Sequence, residues 1–103
     1  LFKEFANNYF SWFEWNNVQI NYMPEGSRMK EHLDKKNVGD SYLIAFGGYR
    51  GGDTYVKNKD DKNYTLYDCR VCPLVFNGAE RKHGVSTVQE GERYSLVFFN
   101  NTK

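Results

Sequence analysis

The chain has 103 residues, with 14 Lys and Arg against 13 Asp and Glu, two His and two Cys. A formal charge of +1 excludes a protein held to nucleic acid by whole-surface charge, and 40% apolar residues exclude intrinsic disorder. Two cysteines cannot form a disulfide framework, and no apolar run reaches the ~20 residues of a membrane span.

The length predicts one domain over residues 1–103. The chain starts at Leu1 rather than Met, which reads as an excised or processed piece. No basic segment followed by an apolar stretch opens it, so an intracellular protein is expected rather than a secreted one. Aromatic residues reach 17%, with 8 Phe, 8 Tyr and 2 Trp, which favours sheet over a helical bundle. These rings are expected to fill the space between two packed sheets.

Residues 1–15 read as a helix, with Phe2, Phe5, Tyr9 and Phe13 at spacings of three and four. Alternation predicts a strand over Asn17–Tyr22, stopped by Pro24-Glu25-Gly26. On that strand Asn21 and Tyr22 point to opposite faces. Further strands are predicted over Arg28–Asp34, Ser41–Phe46, Asp53–Val56, Tyr64–Tyr67, Pro73–Phe76, Gly84–Val88 and Arg93–Phe99. Gly47-Gly48, Gly51-Gly52 and Asn77-Gly78 are the turn signals between them. About eight short strands after one helix predict a mainly β sandwich or barrel.

The two histidines carry the chemistry. His32 and Asp34 sit at i and i+2, which puts both on one face of a strand. His83 comes from a separate strand. Two imidazoles and a carboxylate in this arrangement match a facial triad for non-haem Fe(II), leaving positions open for a bidentate 2-oxo acid and dioxygen. A lone H-x-D is a common tripeptide, and two surface histidines are ordinary. Arg93 and Ser95, again at i and i+2, shift that balance. A guanidinium fork behind an iron suits the far carboxylate of 2-oxoglutarate.

The ordered set His32-x-Asp34, His83, Arg93-x-Ser95 resembles the Fe(II)/2-oxoglutarate-dependent dioxygenase superfamily across almost the whole chain. The resemblance implies a double-stranded β-helix, or jelly-roll, with His32, Asp34 and His83 on Fe(II). It implies 2-oxoglutarate on Arg93 and Ser95, with ascorbate as a supporting reductant. Tyr22 matches a first-strand Tyr that hydrogen-bonds the 2-oxo acid in several members. Within the superfamily, His32-Leu33-Asp34-Lys35-Lys36-Asn37 and Arg93-Tyr94-Ser95-Leu96-Val97-Phe98-Phe99 look like the TET/JBP group, which oxidises a pyrimidine methyl group in DNA. That likeness implies that Asn37 holds a flipped base. Asn101 stands where the methylcytosine enzymes carry a base-contacting His, so the likeness implies that it is a second substrate-binding residue, whose amide can hydrogen-bond a pyrimidine edge. The Cys-rich zinc region of those enzymes is absent.

The resemblance thus implies hydroxylation of a C–H bond, leaning to a pyrimidine methyl group in DNA or RNA. A prolyl-type protein hydroxylase shares the same ligand framework, and a non-catalytic jelly-roll binding module is the third reading. Lys30, Lys35, Lys36, Arg81 and Lys82 flank the iron ligands and would form a local basic rim for a phosphate backbone. Cys69-Arg70-Val71-Cys72 lacks two further ligands for zinc and reads as two plain thiols.

Overall fold

The computed structural model describes residues 1–101. Helix α1 spans Phe2–Phe10. Ten strands follow: β1 Asn17–Met23, β2 Met29–His32, β3 Ser41–Phe46, β4 Tyr49–Gly51, β5 Thr54–Lys57, β6 Tyr64–Tyr67, β7 Leu74–Phe76, β8 His83–Val85, β9 Val88–Gly91 and β10 Arg93–Phe99. They form two four-stranded sheets, ordered β1-β10-β3-β7 and β2-β8-β5-β6, and a β4-β9 ribbon. Every named pairing is antiparallel. This is the mainly β jelly-roll that the family resemblance implies, with the one short N-terminal helix that the aromatic spacing predicts.

Period-2 alternation sorts the side chains of the larger sheet. Asn21 pairs with Ser95 and Met23 with Arg93, while Ser95 pairs with Ala45 and Val97 with Leu43. These residues turn inward. Their neighbours Tyr42, Ile44, Leu96 and Phe98 turn outward, under α1.

The aromatic excess has a different home from the expected one. The space between the sheets is filled mostly by smaller groups, among them Met23, Leu43, Val56, Leu74, Val85 and Val88, with Tyr49 and Phe76 as its buried rings and Tyr67 packed against them. Most of the packed rings lie between α1 and the outer face of the sheet. Phe10 stacks on Tyr42 with centroids 4.0 Å apart and meets Phe98 edge-on at 4.8 Å. The helix ends at Phe10 rather than at residue 15. The chain then runs down the sheet so that Phe13 reaches Tyr42 at 5.8 Å and Trp15 reaches Phe98 at 5.0 Å.

Two further differences follow from sheet switching. The predicted strand over Gly84–Val88 is two strands, because the chain crosses between sheets at Ser86-Thr87. There the Ser86 N–H donates to the Asp53 carbonyl, and the Thr87 carbonyl accepts from Gly52 N–H. The second difference is β4, which the glycine cluster disguised as a turn. A Cβ on Gly51 would collide with the Thr87 carbonyl oxygen, and its φ of +75° is in the left-handed region. Glycine permits both the turn and the close approach of the crossing segment.

Candidate metal centre

His32 ends β2 and His83 opens β8, and the two are cross-strand partners. Their ring centroids lie 4.4 Å apart. Asp34 lies beyond the end of β2, not on the strand as its spacing predicts. Its N–H donates to the Gly78 carbonyl at 2.9 Å, and its carbonyl accepts from Asn37 N–H at 3.0 Å. That turn brings the carboxylate back to both imidazoles. Asp34 Oδ2 lies 3.0 Å from His83 Nε2, and Oδ1 lies 3.5 Å from His32 Nε2. One ligand atom from each of the three side chains falls within 4.8 Å of the others.

The same device orients both rings. His32 Nδ1 lies 2.8 Å from the Lys30 carbonyl oxygen, and His83 Nδ1 lies 2.8 Å from the Arg81 carbonyl oxygen. A carbonyl can only accept, so each Nδ1 carries its hydrogen and each Nε2 is turned toward Asp34. In the neutral ring Nε2 is a lone pair. Lone pairs facing a carboxylate repel unless a cation, either a proton or a metal ion, lies between them. Accordingly the hydrogen bond to His83 holds the Asp34 carboxyl below its ordinary range, against a smaller opposing effect of burial. For His83, burial pulls the pKa down, but the Asp34 carboxylate and the Arg81 carbonyl together carry it above the ordinary imidazole value. This donor set fits a divalent transition metal.

Gly78 makes room for the cluster. A Cβ there would lie 2.9 Å from Asp34 Oδ2 and 3.1 Å from His83 Cε1.

The three ligands stand at the mouth of a cavity of about 120 Å³ between the sheets. Its deep end is polar. Arg93, Thr54, Ser41 and Ser95 line it and are each 2% exposed or less. Arg93 Nε donates to the Gly52 carbonyl at 2.9 Å and Nη2 donates to Thr54 Oγ1 at 3.2 Å, while Nη1 lies 3.6 Å from Met23 Sδ. Among the described residues no carboxylate pairs with this buried guanidinium. Ser41 Oγ is buried with no hydrogen-bond partner. A buried cation without an anion and an orphaned hydroxyl in one cavity fit an incoming carboxylate.

No family model matches the sequence, and no curated protein matches it. Solved structures do. An oxidoreductase of the 2OG-Fe(II) oxygenase family from Burkholderia pseudomallei matches 80% of the chain with a TM-score of 0.68 and 28% identity. The chain is a structural relative of the 2OG-Fe(II) oxygenases. A Pseudomonas putida prolyl-4-hydroxylase matches 84% of it at TM-score 0.68 and 21% identity. NgTET1, solved in complex with 5mC DNA, matches 82% at TM-score 0.63 and 23% identity. The chain spans 40%, 51% and 33% of these three proteins, respectively.

Two expected site residues lie outside the cavity of this oxygenase fold. Tyr22 is 50% exposed on the outer face of β1. Its hydroxyl donates to Glu92 Oε1 at 2.6 Å, and its ring packs on Tyr94 at 5.0 Å. Alternation turns Asn21 inward instead, where it lines the cavity beside Gln19, whose Nε2 donates to Asn21 Oδ1 at 2.9 Å. Asn101 is likewise not a cavity residue. Its Oδ1 accepts from Asn17 Nδ2 at 2.8 Å, and its backbone bridges Asn37. Asn37 itself lines the mouth.

Sequence reasoning missed Ser41, Thr54, Asn21 and Gly78. The signal for the first two was a small hydroxyl at an inward position of an otherwise apolar strand. Cys69 and Cys72 are free thiols, and the buried Cys69 Sγ–H donates to Thr54 Oγ1 at 3.6 Å. Desolvation pushes the Cys69 thiol pKa up, so it is a packed, protonated group.

Proposed function

We propose that the chain is the catalytic core of an Fe(II)- and 2-oxoglutarate-dependent oxygenase that hydroxylates a C–H bond, with a pyrimidine methyl group in nucleic acid as its target. One observation carries the reading. A cavity with two histidines, each locked through Nδ1, and a carboxylate at its mouth holds at its deep end a buried arginine that no carboxylate among the described residues pairs with.

When bound, Fe(II) with 2-oxoglutarate and dioxygen supplies oxidation of the substrate C–H bond, with succinate and carbon dioxide as the cosubstrate's products. The protein's residues supply position. His32 Nε2, His83 Nε2 and Asp34 hold the metal. Arg93, with Ser95 and Ser41 beside it, holds the distal carboxylate of 2-oxoglutarate, a charge-assisted contact in a buried setting. Phe76, Val85 and Val97 line the same cavity with apolar surface. Asn37, at the mouth, presents an amide that can both donate to and accept from a base edge. A base in a duplex reaches this mouth only when flipped out.

The nucleic-acid reading is supported by Asn37 at the cavity mouth, by the TET/JBP-like motifs that carry it, and by the likeness to NgTET1. The prolyl-4-hydroxylase shares the fold as fully, so a prolyl side chain is the second reading. An intracellular setting belongs to the same proposal and is supported by the two free cysteines. The test is mass spectrometry of nucleosides from methylated DNA treated with the protein, Fe(II), 2-oxoglutarate and ascorbate. Hydroxymethyl products are expected. Their absence, with hydroxylation of proline-containing peptides instead, would transfer the assignment to the second reading.

A further inference from the structure

A second depression adjoins the metal centre, on the other side of the same chain segment. His32 and Asp34 face the cavity, whereas Leu33 between them lines an open cleft of about 490 Å³. The far wall of the cleft is the end of β5 and the segment leading into β8. It carries Lys57, Lys59, Arg81 and Lys82, with Glu80 as its one acidic residue.

The framework holds these cations together. Lys57 N–H donates to the Lys82 carbonyl at 2.9 Å, and Arg81 Nε donates to the Lys57 carbonyl at 3.0 Å. The Arg81 carbonyl is also the acceptor that orients His83, so the cleft and the metal centre share one piece of backbone. Lys82 is only loosely paired, with Nζ 3.9 Å from Glu31 Oε2. Asp61, on the neighbouring loop, is turned into that loop by bonds from Asn58 Nδ2 and Asn63 N–H. Four like charges converge on one cleft of a chain whose net charge is only +1. Their mutual repulsion is relieved by a multivalent anion.

We infer that this cleft seats the phosphodiester backbone of the nucleic-acid strand whose base enters the adjoining cavity. The inference rests on the nucleic-acid reading above and adds a place to it. Phosphate contacts at Lys57, Lys59 and Lys82 fix the register of the strand, while the cavity mouth meets the base. The sequence alone pointed to Arg81 and Lys82 in a rim with Lys30, Lys35 and Lys36. The fold adds Lys57 from the end of β5 and Lys59 from the loop after it.

The experiment is fluorescence anisotropy with a labelled DNA duplex containing one methylated cytosine, and with its single strand, over a series of salt concentrations. Lys57→Ala, Lys59→Ala and Lys82→Ala are compared with Arg50→Ala. Arg50 is a control cation on the β4-β9 ribbon, its side chain 71% exposed. Each cleft variant is expected to lower the slope of log affinity against log salt by about 1, equally for methylated and unmethylated DNA, with Arg50→Ala as wild type. Circular dichroism checks that each variant is folded. Cleft variants that match wild type in slope and affinity, while wild type binds and oxidises DNA, would overturn the cleft and leave the nucleic-acid reading standing. A wild-type protein that binds neither DNA form yet hydroxylates peptides would overturn both.

Discussion

Arg93 Nη2 donates to Thr54 Oγ1 at 3.2 Å, tying β10 of one sheet to β5 of the other at the closed end of the cavity. With Nε on the Gly52 carbonyl, this bond sets the plane of the guanidinium. Thr54→Val removes the hydroxyl and keeps the shape. Hydrogen bonds to charged groups contribute about 1.5–3 kcal/mol, so Thr54→Val is expected to weaken 2-oxoglutarate binding roughly tenfold or more. Thr54→Ser should bind close to wild type. Isothermal titration of 2-oxoglutarate into the Mn(II)-loaded protein separates the two.

Gly78 is predicted to govern the metal centre without touching a metal. A methyl group there would press on Asp34 Oδ2 and His83 Cε1, at 2.9 and 3.1 Å. Gly78→Ala is expected to lower Mn(II) affinity roughly 10–100-fold, the range for residues that orient ligands. Paramagnetic resonance of free Mn(II) measures it, and a melting temperature near wild type would show that the fold survives.

Tyr22 and Asn21 give opposite expectations from adjacent positions. Tyr22→Phe removes one exposed bond to Glu92 and should leave 2-oxoglutarate binding and melting temperature close to wild type. Asn21→Leu places an apolar group against the polar lining and should weaken 2-oxoglutarate binding in the same titration.

Asp68 supplies a pH-dependent contribution to stability away from the centre. Arg70 chelates it through Nε and Nη2 at 3.1 and 3.0 Å while lying over the Tyr49 ring at 3.7 Å. The Arg70 hydrogen bond holds the Asp68 carboxyl below its ordinary value of 3.8. The folded state therefore binds this proton less readily than the unfolded chain does. The stabilisation is present above the unfolded pKa and is lost as pH falls through the lowered folded one. Melting temperature against pH for Asp68→Asn should run below wild type at neutral pH and converge with it in acid.

Much of this was legible in the sequence because β side chains alternate. Ser41–Phe46, Tyr64–Tyr67 and Arg93–Phe99 coincide with their predicted bounds, and the ordered His32, Asp34, His83 and Arg93 meet in one cavity. Alternation had already separated Asn21 from Tyr22; the family likeness favoured the Tyr, and the fold turns it outward. What stayed hidden depends on contacts between distant segments. Asp34 reaches the imidazoles through a turn fixed by the Gly78 carbonyl, which no local pattern encodes. Thr54 and Ser41 became site residues only when two sheets closed on each other. Most of the rings expected between the sheets lie instead under α1, because composition counts aromatic residues but does not say which face they cover.

The central claim is that His32, Asp34 and His83 hold an iron at which 2-oxoglutarate, anchored on Arg93, is consumed. Succinate measured after incubation with Fe(II), 2-oxoglutarate and ascorbate in air tests it most directly. The account predicts succinate from the wild-type chain and its loss in Asp34→Ala and Arg93→Leu. Iron demonstrably bound to the wild-type chain with no succinate formed, with or without added DNA or peptide, would contradict it.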